Sequence, residues 1–346
     1  MRYLVLAAIG ALASILANRG IAVFNDGFRP IVPQFYDGQI SRKELATMSF
    51  AISFGLVIGF AIPTSIAASI ILIHCILLTT DIIGTFCPDS LVGTVIAGVV
   101  GAAYGVAILL GLESIVNLFG SLPFNFLANL GSVSSFVTAA FAIFPSVAVG
   151  YQHGFKKGAI AGLITLVVYL LTVKFGKFAL GDAKVALNGF GMAMLAGMVC
   201  LLAFATGVKG TGDANSSLVT TFGDKVKRIR ANWWLLAIMG GLVAMATSLG
   251  IVAGDPISLG LVSEGSWAEA AMVALARAIG FVPLVFTTAI VTGVYGPAGS
   301  TFVFVVGLLL HGNPFVAVIV GAVVMVVELA LINVFAKGMD KFPGMK

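Results

Sequence analysis

Apolar runs of about twenty residues, separated by short polar stretches, occupy most of this chain. About 20 apolar residues carry a helix across a bilayer. On that rule spans are expected near 2–24, 45–62, 64–83, 90–119, 133–151, 158–174, 187–207, 232–253, 270–295, 298–311 and 315–336. Pro63 leaves 46–78 open as two spans or one kinked helix, and 298–311 is short enough to be half of a re-entrant hairpin. Some runs are interrupted from within: Leu77-Leu78-Thr79-Thr80-Asp81-Ile82-Ile83-Gly84, then Pro88, and Arg277 to Pro283, then Gly296-Pro297 and Asn313-Pro314. A break at membrane depth survives only where protein or trapped water supplies hydrogen-bond partners. Carriers build midplane sites from such breaks. The expected fold is all-α: a polytopic membrane helix bundle of about ten spans with discontinuous or re-entrant helices.

Composition agrees with a lipid solvent. Of 346 residues, 60% are hydrophobic and 10% charged, against roughly 25% charged in soluble domains. The 42 glycines suit close helix contacts in a bilayer. The net charge of +5 does not form a basic patch. Its residues sit in short loops, where they set topology, so nucleic acid is set aside as a partner. Loop 25–44, Lys156-Lys157, loop 208–231 and the tail with Lys337 and Lys341 are expected inside the cell; loop 254–267, with Asp255 and Glu264 but no basic residue, is expected outside. Lys174, Lys177 and Lys184 run against this scheme. Asn18-Arg19-Gly20 and Ile21 to Phe24 continue the first apolar run without an A-x-A cleavage site, so it is taken as a retained span. Cys75, Cys87 and Cys200 read as buried, inert thiols.

The polar loop 208–231 divides the chain into an N-terminal membrane half, 1–207, and a C-terminal half, 232–346, with Trp233-Trp234 as an interfacial anchor. Two short matches cross that divide. Gly27 to Val32 resembles Gly280 to Val285, and Cys87-Pro88 with Gly93 to Val100 resembles Asn313-Pro314 with Val316 to Val323. They raise duplication of the halves, against chance likeness between Gly/Val/Ala-rich segments.

Charged residues within apolar runs are the candidate chemistry. An ionisable group at the bilayer centre costs about 2.5–3.5 kcal/mol on insertion scales and points to function. Asp81, beside Thr79 and Thr80, is the sharpest case; its bland reading is an exposed Asp at a span end. Glu328 lies deep in the last span and is expected to face the interior, holding a proton or pairing with a cation, Arg277 being the expected partner. Asp26 and Arg29 are spaced to pair between turns set by Pro30 and Pro33, as a charged gate or an ordinary inner loop. Glu113 lies nearer a span end, with Asn117 one turn on.

Thr80, Thr288 and Asn313 are the neutral polar candidates, with Ser132, Ser134, Ser135 and Thr138 as a further cluster after Pro123-Phe124-Asn125. Hydroxyls in membrane helices more often bond carbonyls freed by a kink than line a path. Pro88, Pro123, Pro297 and Pro314 are each placed to open a helix, whose N-terminus would favour an anion. His74, His153 and His311 are scattered, with His153 expected at the interface. There is no Walker A sequence, HExxH motif or nucleophile elbow, so no enzyme activity and no cofactor or metal are expected.

Together these residues resemble the YhfT family of bacterial inner-membrane proteins. The likeness runs through Asp26 to Gln34, Thr80 to Gly84, Leu122 to Gly131, Arg277 to Thr288, Thr292 to Tyr295 and Asn313-Pro314 into Gly321 to Val324. It implies a multi-pass membrane protein with a transport role, and supplies no substrate, mechanism or binding residue. Family members continue beyond the position of Lys346 with further apolar helices, so a shortened or incomplete C-terminal half is expected.

The leading functional expectation is a secondary active carrier in the bacterial inner membrane, moving a small polar, anionic metabolite coupled to H⁺ or Na⁺. Asp81 and Glu328 would couple or contact substrate, with Asp26, Arg29 and Arg277 as gate or pairing residues. Competing readings are the membrane component of a phosphotransferase-like system, a membrane-embedded enzyme using Asp81 and Glu328 as an acid pair, and a scaffold. The expected partners are the lipid bilayer, the small-molecule substrate, H⁺ or Na⁺, and a second copy of the chain as an open option.

Overall fold

A computed structural model describes the chain over 1–122, 126–180, 183–206 and 216–339, without the side chains of 126–135, 137, 179–180, 183–186, 205–206, 216–223 and 337–339. The turn at Pro123-Phe124-Asn125, the hydroxyls of Ser132, Ser134, Ser135, Ser216 and Ser217, the loop Gly210 to Asn215 and Lys341 lie outside the described residues.

The first helix, α1 (Arg2–Asn18), ends at Gly20, whose φ of +56° is the left-handed conformation that only glycine adopts without cost. A 3₁₀ turn (Arg29–Ile31) and α2 (Val32–Tyr36) follow, each with a proline in its first turn. Next, α3 (Arg42–Leu56) starts from a capping box: Ser41 takes the Glu44 N–H, and the Glu44 carboxylate takes the Ser41 N–H at 2.7 Å. A π-helical turn (Val57–Ala61) leads on into α4 (Ile62–Ala68). The Pro63 ring would press on the carbonyl of Gly59, four residues back, and the wider turn there relieves it. Pro63 thus lies inside one helix, 42–68, and the break within 46–78 falls after it, between Ser69 and the start of the next helix at His74.

After Ser69 (φ +56°) come β1 (Ile71–Leu72), α5 (His74–Phe86) and the long α6 (Leu91–Gly120). Then α7 (Phe126–His153) and α8 (Phe155–Phe175) lead to a hairpin of β2 (Lys177–Leu180) and β3 (Ala183–Ala186), which holds Lys177 and Lys184. Beyond it lie α9 (Gly189–Thr206), α10 (Ser216–Ala231) and α11 (Trp233–Ser248). The chain closes with β4 (Val252–Ala253), α12 (Pro256–Ser263), α13 (Trp267–Thr292), α14 (Phe302–Leu309) and α15 (Pro314–Met339).

Small residues let two helix pairs approach at backbone distance. Helix α1 runs antiparallel to α6, with Gly10 against the Gly101 carbonyl and Gly105 against Leu6. In the same way α11 packs on α15: a Cβ at Gly241 would stand 2.6 Å from the Val318 carbonyl oxygen, and one at Gly240 2.8 Å from Met325. One apolar core joins both ends of the chain, from Val5 through Leu112 and again from Val226 through Ile332. Helices α7, α8 and α9 form a neighbouring group that packs on α13, where Gly191 meets Val273 and Gly280 meets Met198.

Two expected breaks are not breaks. Helix α5 runs unbroken through Thr79–Gly84, because its hydroxyls bond back to their own helix (Thr79 to Cys75, Thr80 to Leu77, Thr85 to Asp81) and Gly84 lays the helix on the α1 backbone near the Ser14 carbonyl. Helix α13 runs unbroken from Trp267 through Pro283 to Thr292. Losing one N–H there is tolerable because the other helical bonds of the span persist. The likeness of Gly27–Val32 to Gly280–Val285 accordingly joins a 3₁₀ turn to the middle of a helix, and marks no structural equivalence.

The helices are interrupted elsewhere, at 19–25, 69–73, 249–255 and 293–301, and these four stretches meet in pairs. Strand β1 lies parallel to β4, Ile71 opposite Val252 and Leu72 opposite Ala253. The N–H of Ile71 donates to Ile251 at 3.1 Å, and that of Ile73 to Ala253 at 2.9 Å. At the second crossing Ala22 lies parallel to Tyr295; the Tyr295 N–H donates to Ile21 at 3.0 Å and the Val23 N–H to Tyr295 at 2.8 Å. The approaches also match. Gly20 and Gly250 (φ +70°) end α1 and α11, and Ser69 and Gly293 (φ +72°) precede the other two strands. Buried main chain without helix is thus paired with main chain, which is the condition for its survival in lipid.

Candidate functional site

Around these crossings sit five buried acidic and basic residues among the described ones: Arg29, Asp81, Asp255, Arg277 and Glu328. Asp255 belongs to an interruption, and each of the other four is held by main chain of one. Asp81 faces away from its own helix and accepts the Phe24 N–H at 3.1 Å and the Asn25 N–H at 2.9 Å. The Asn25 side chain donates in turn to Ser53 on α3 at 3.0 Å. Arg29, 2% exposed, folds back to donate from Nε and Nη2 to the Val23 carbonyl, at 3.3 and 3.1 Å, and pairs with the exposed carboxylate of Asp26 at 2.8 Å. A Cβ at Gly296 would lie 3.3 Å from Arg29 Nη2, so Arg29 borders the second crossing on both strands.

At the other crossing Asp255 caps α12, accepting the Ser258 N–H and hydroxyl at 2.7 Å each. Arg277 on α13 donates to the Gly254 carbonyl at 2.5 Å and pairs with Asp255 at 3.3 Å. Its guanidinium lies 5.4 Å from the Phe304 ring centre, in the first turn of α14. His74, the first residue of α5, is enclosed edge-on by Phe24 and Phe60 at 5.0 and 5.5 Å. Nε and Nη2 of Arg277, Nη1 of Arg29 and Nδ1 of His74 are buried without a hydrogen-bond partner. Donors that lack partners at the start of two short helices form a place suited to a carboxylate or other small anion.

Glu328 is different. Its Oε2 accepts the Ser300 N–H at 2.6 Å and the Tyr295 hydroxyl at 2.9 Å, while Oε1 is buried and unpartnered. Gly299 comes so close to this carboxylate that a side chain there would strike it. No basic residue pairs with it among the described residues. The expected Arg277–Glu328 pair is therefore replaced by Arg277–Asp255, since Asp255, expected in an exposed outer loop, is fully buried in the strand connection. Glu264 of the same stretch is exposed.

The remaining candidates lie outside the cluster. The Thr80 hydroxyl bonds Leu77 and the Thr288 hydroxyl bonds Leu284, each within its own helix. Glu113 is half-buried on α6 and accepts from the Tyr3 hydroxyl near the start of α1. Asn313 is exposed at the entrance to α15, where its carbonyl accepts the Ala317 N–H. Of the prolines, Pro314 opens α15, while Pro88 and Pro297 lie in the connections before α6 and α14.

Sequence reasoning missed Asp255, Tyr295, Ser300 and His74. Asp255-Pro256 did carry a signal, an N-cap residue followed by proline at the first helical position. It also missed Asn18 and Ser248, each the last residue of its helix, which close the far ends of the short helices. Asn18 donates to Gly84 at 2.9 Å and Pro88 at 3.1 Å beyond α5; Ser248 donates to Leu310 beyond α14 at 2.5 Å. Arg42 adds a cation at the C-terminus of α5, with Nη2 2.7 Å from the Gly84 carbonyl. Just outside the second crossing a cavity of about 450 Å³ opens between Arg19, Tyr36, Asp89, Arg228 and Asn232.

Five helices of the described residues are long and apolar enough to cross a membrane, 42–68, 91–120, 155–175, 267–292 and 314–336. With a charged interior built on interrupted helices, they define an all-α membrane protein. The family model YhfT, described as a protein of unknown function, matches residues 2–346, and the chain belongs to that family. It is 34% identical to the uncharacterized protein YhfT of Escherichia coli (strain K12) over an alignment that covers all of this chain and 80% of that relative. No solved structure matches it.

Proposed function

We propose that the chain is a secondary active carrier of a small anionic metabolite in the bacterial inner membrane, coupled to one H⁺ or Na⁺. The observation that carries the reading is the pair of main-chain crossings with buried charges around them. The 13 residues of α5 and the 8 of α14 reach about 20 and 12 Å, against a hydrocarbon core of about 30 Å. Such half-length helices, begun at an extended strand within the protein, are the device by which carriers bring helix termini to the midplane. On this reading the chain crosses the membrane about ten times. Its halves are repeats in which 1–120 corresponds to 233–339 and the early strand of each half pairs with the late strand of the other.

Charge counting assigns the roles. Among the described residues three buried carboxyls stand against two buried guanidiniums, an excess of one that a proton or Na⁺ neutralises. Asp255 has Arg277, Asp81 has two N–H donors, and Glu328 alone keeps a carboxylate oxygen without a partner. Glu328 is therefore the coupling residue, Arg277 the anion contact and Asp81 the anchor of the second crossing.

Uptake into proteoliposomes tests this, with a panel of small carboxylates and phosphates and imposed pH or Na⁺ gradients. The expected result is gradient-driven accumulation of one anion class, with Glu328→Gln abolishing accumulation against a gradient while leaving exchange. Accumulation by Glu328→Gln equal to the parent would overturn the coupling assignment. Stimulation only by a phosphorylated soluble partner would favour the phosphotransferase-like alternative.

A further inference from the structure

We propose that a single anionic phospholipid is a bound component of this protein, seated where α10 meets α15. Residues 224–231 of α10 lie at 59° to α11 and bury Val226 and Ile229 against the core. Lys225 anchors the helix by donating to the Val291 carbonyl at 2.7 Å. The opposite side is left open. There a cavity of about 520 Å³ is rimmed by Lys227, Arg230 and Trp233 and floored by Val326, Leu329 and Ala330 of α15.

The chemistry of the lining selects the occupant. Its floor is aliphatic and belongs to a helix that crosses the membrane, so it suits an acyl chain, not a soluble anion. Its rim carries two cations that face outward at the interface, with Lys227 held by Asp224 at 3.1 Å and Arg230 without such a carboxylate among the described ion pairs. A half-exposed tryptophan stands where aromatic rings favour the headgroup level. Phosphate at Arg230 and Lys227, glycerol at Trp233 and one chain along Val326 and Ala330 satisfy all three. Zwitterionic lipid would place its ammonium on the same cations. The floor residue Leu329 adjoins Glu328, so an occupant braces the turn of α15 that presents the carboxyl to Ser300.

Native mass spectrometry of the full chain in mild detergent tests the assignment, titrating phosphatidylglycerol, phosphatidylcholine and inorganic phosphate. One phosphatidylglycerol should remain bound at concentrations where phosphatidylcholine does not. Each basic residue near an anionic surface contributes about fivefold in affinity. Lys227→Gln with Arg230→Gln should therefore reduce the preference by about 30-fold, and Ala330→Trp, which fills the floor without changing charge, should remove the adduct. Both variants are exposed-residue changes, and an unchanged melting temperature shows that they fold. Equal retention of the two lipids, or a preference untouched by both variants, overturns the proposal. Inorganic phosphate displacing the bound lipid at millimolar concentration also overturns it, since the site would then be a soluble-anion site.

Discussion

Replacing Asp81 with Asn separates an anchor from a coupling group. The carboxylate accepts two main-chain donors of the second crossing, the Phe24 N–H shared between its oxygens and the Asn25 N–H on Oδ2. An Asn side chain whose oxygen takes the place of Oδ2 still accepts both N–H groups, but it turns an N–H₂ toward the Phe24 N–H where Oδ1 stood. The two remaining bonds change from a charged to a neutral acceptor, at about 1 kcal/mol each. The total is about 2 kcal/mol, a sizeable share of a stability that is usually 5–15 kcal/mol. Unfolding of the purified protein, followed by tryptophan fluorescence in a fixed detergent and reported as a midpoint with its slope, measures it. Glu328→Gln serves as the control, because glutamine retains an oxygen for the Ser300 N–H and should cost less than about 1.5 kcal/mol. If Asp81→Asn unfolds with the parent midpoint, or if Glu328→Gln proves the more damaging of the two, the division of roles between these carboxyls is wrong.

Arg277→Gln should cost about 3–5 kcal/mol by leaving Asp255 buried and unpaired; adding Asp255→Asn should recover part of that loss in the same unfolding assay. Gly101→Val should prevent accumulation of folded protein, since its Cβ would strike the Gly10 carbonyl and Ser14, whereas Gly111→Ala, with nothing within 4 Å, should melt like the parent. Cysteines at Leu72 and Ala253, which face each other in the parallel pair, should form a disulfide on mild oxidation, as parallel neighbours lie within the usual Cα separation. Leu72 with Val252 substituted instead should link much more slowly, and equal rates would refute the register. The natural cysteines are buried and should stay unlabelled by a bulky maleimide in the folded protein.

Much of the helix pattern was legible because lipid enforces long apolar runs: 91–120 and 155–175 fall where hydropathy puts them. The interruptions were not. Thr79-Thr80-Asp81 looked like a break because polar residues and a glycine cluster there, yet those groups serve the neighbouring strand and α1 while their own helix continues. The true breaks, Ser69 to Ile73 and Gly250 to Gly254, are almost wholly apolar, since their main chain is satisfied by another strand and needs no polar side chain nearby. Asp81, Glu328, Arg29 and Arg277 could be singled out by the cost of charge in lipid. Their partners could not, since Asp255 with Arg277 and Tyr295 with Glu328 are brought together only by the crossing of distant segments.

That crossing also sets an order of events during synthesis. Residues 21–23 and 71–73 leave the ribosome long before their partners at 251–253 and 295. At ordinary elongation rates the wait is about ten seconds to a minute. Through that interval the first part of the chain sits in the membrane with strand edges that nothing yet covers. Whatever shields those edges, be it bound water, the insertion machinery or α6 lying temporarily across them, must give way when α11 and β4 arrive. Folding of this protein is therefore finished from its C-terminal side, and a stall before residue 295 would strand an inserted chain whose centre is still open.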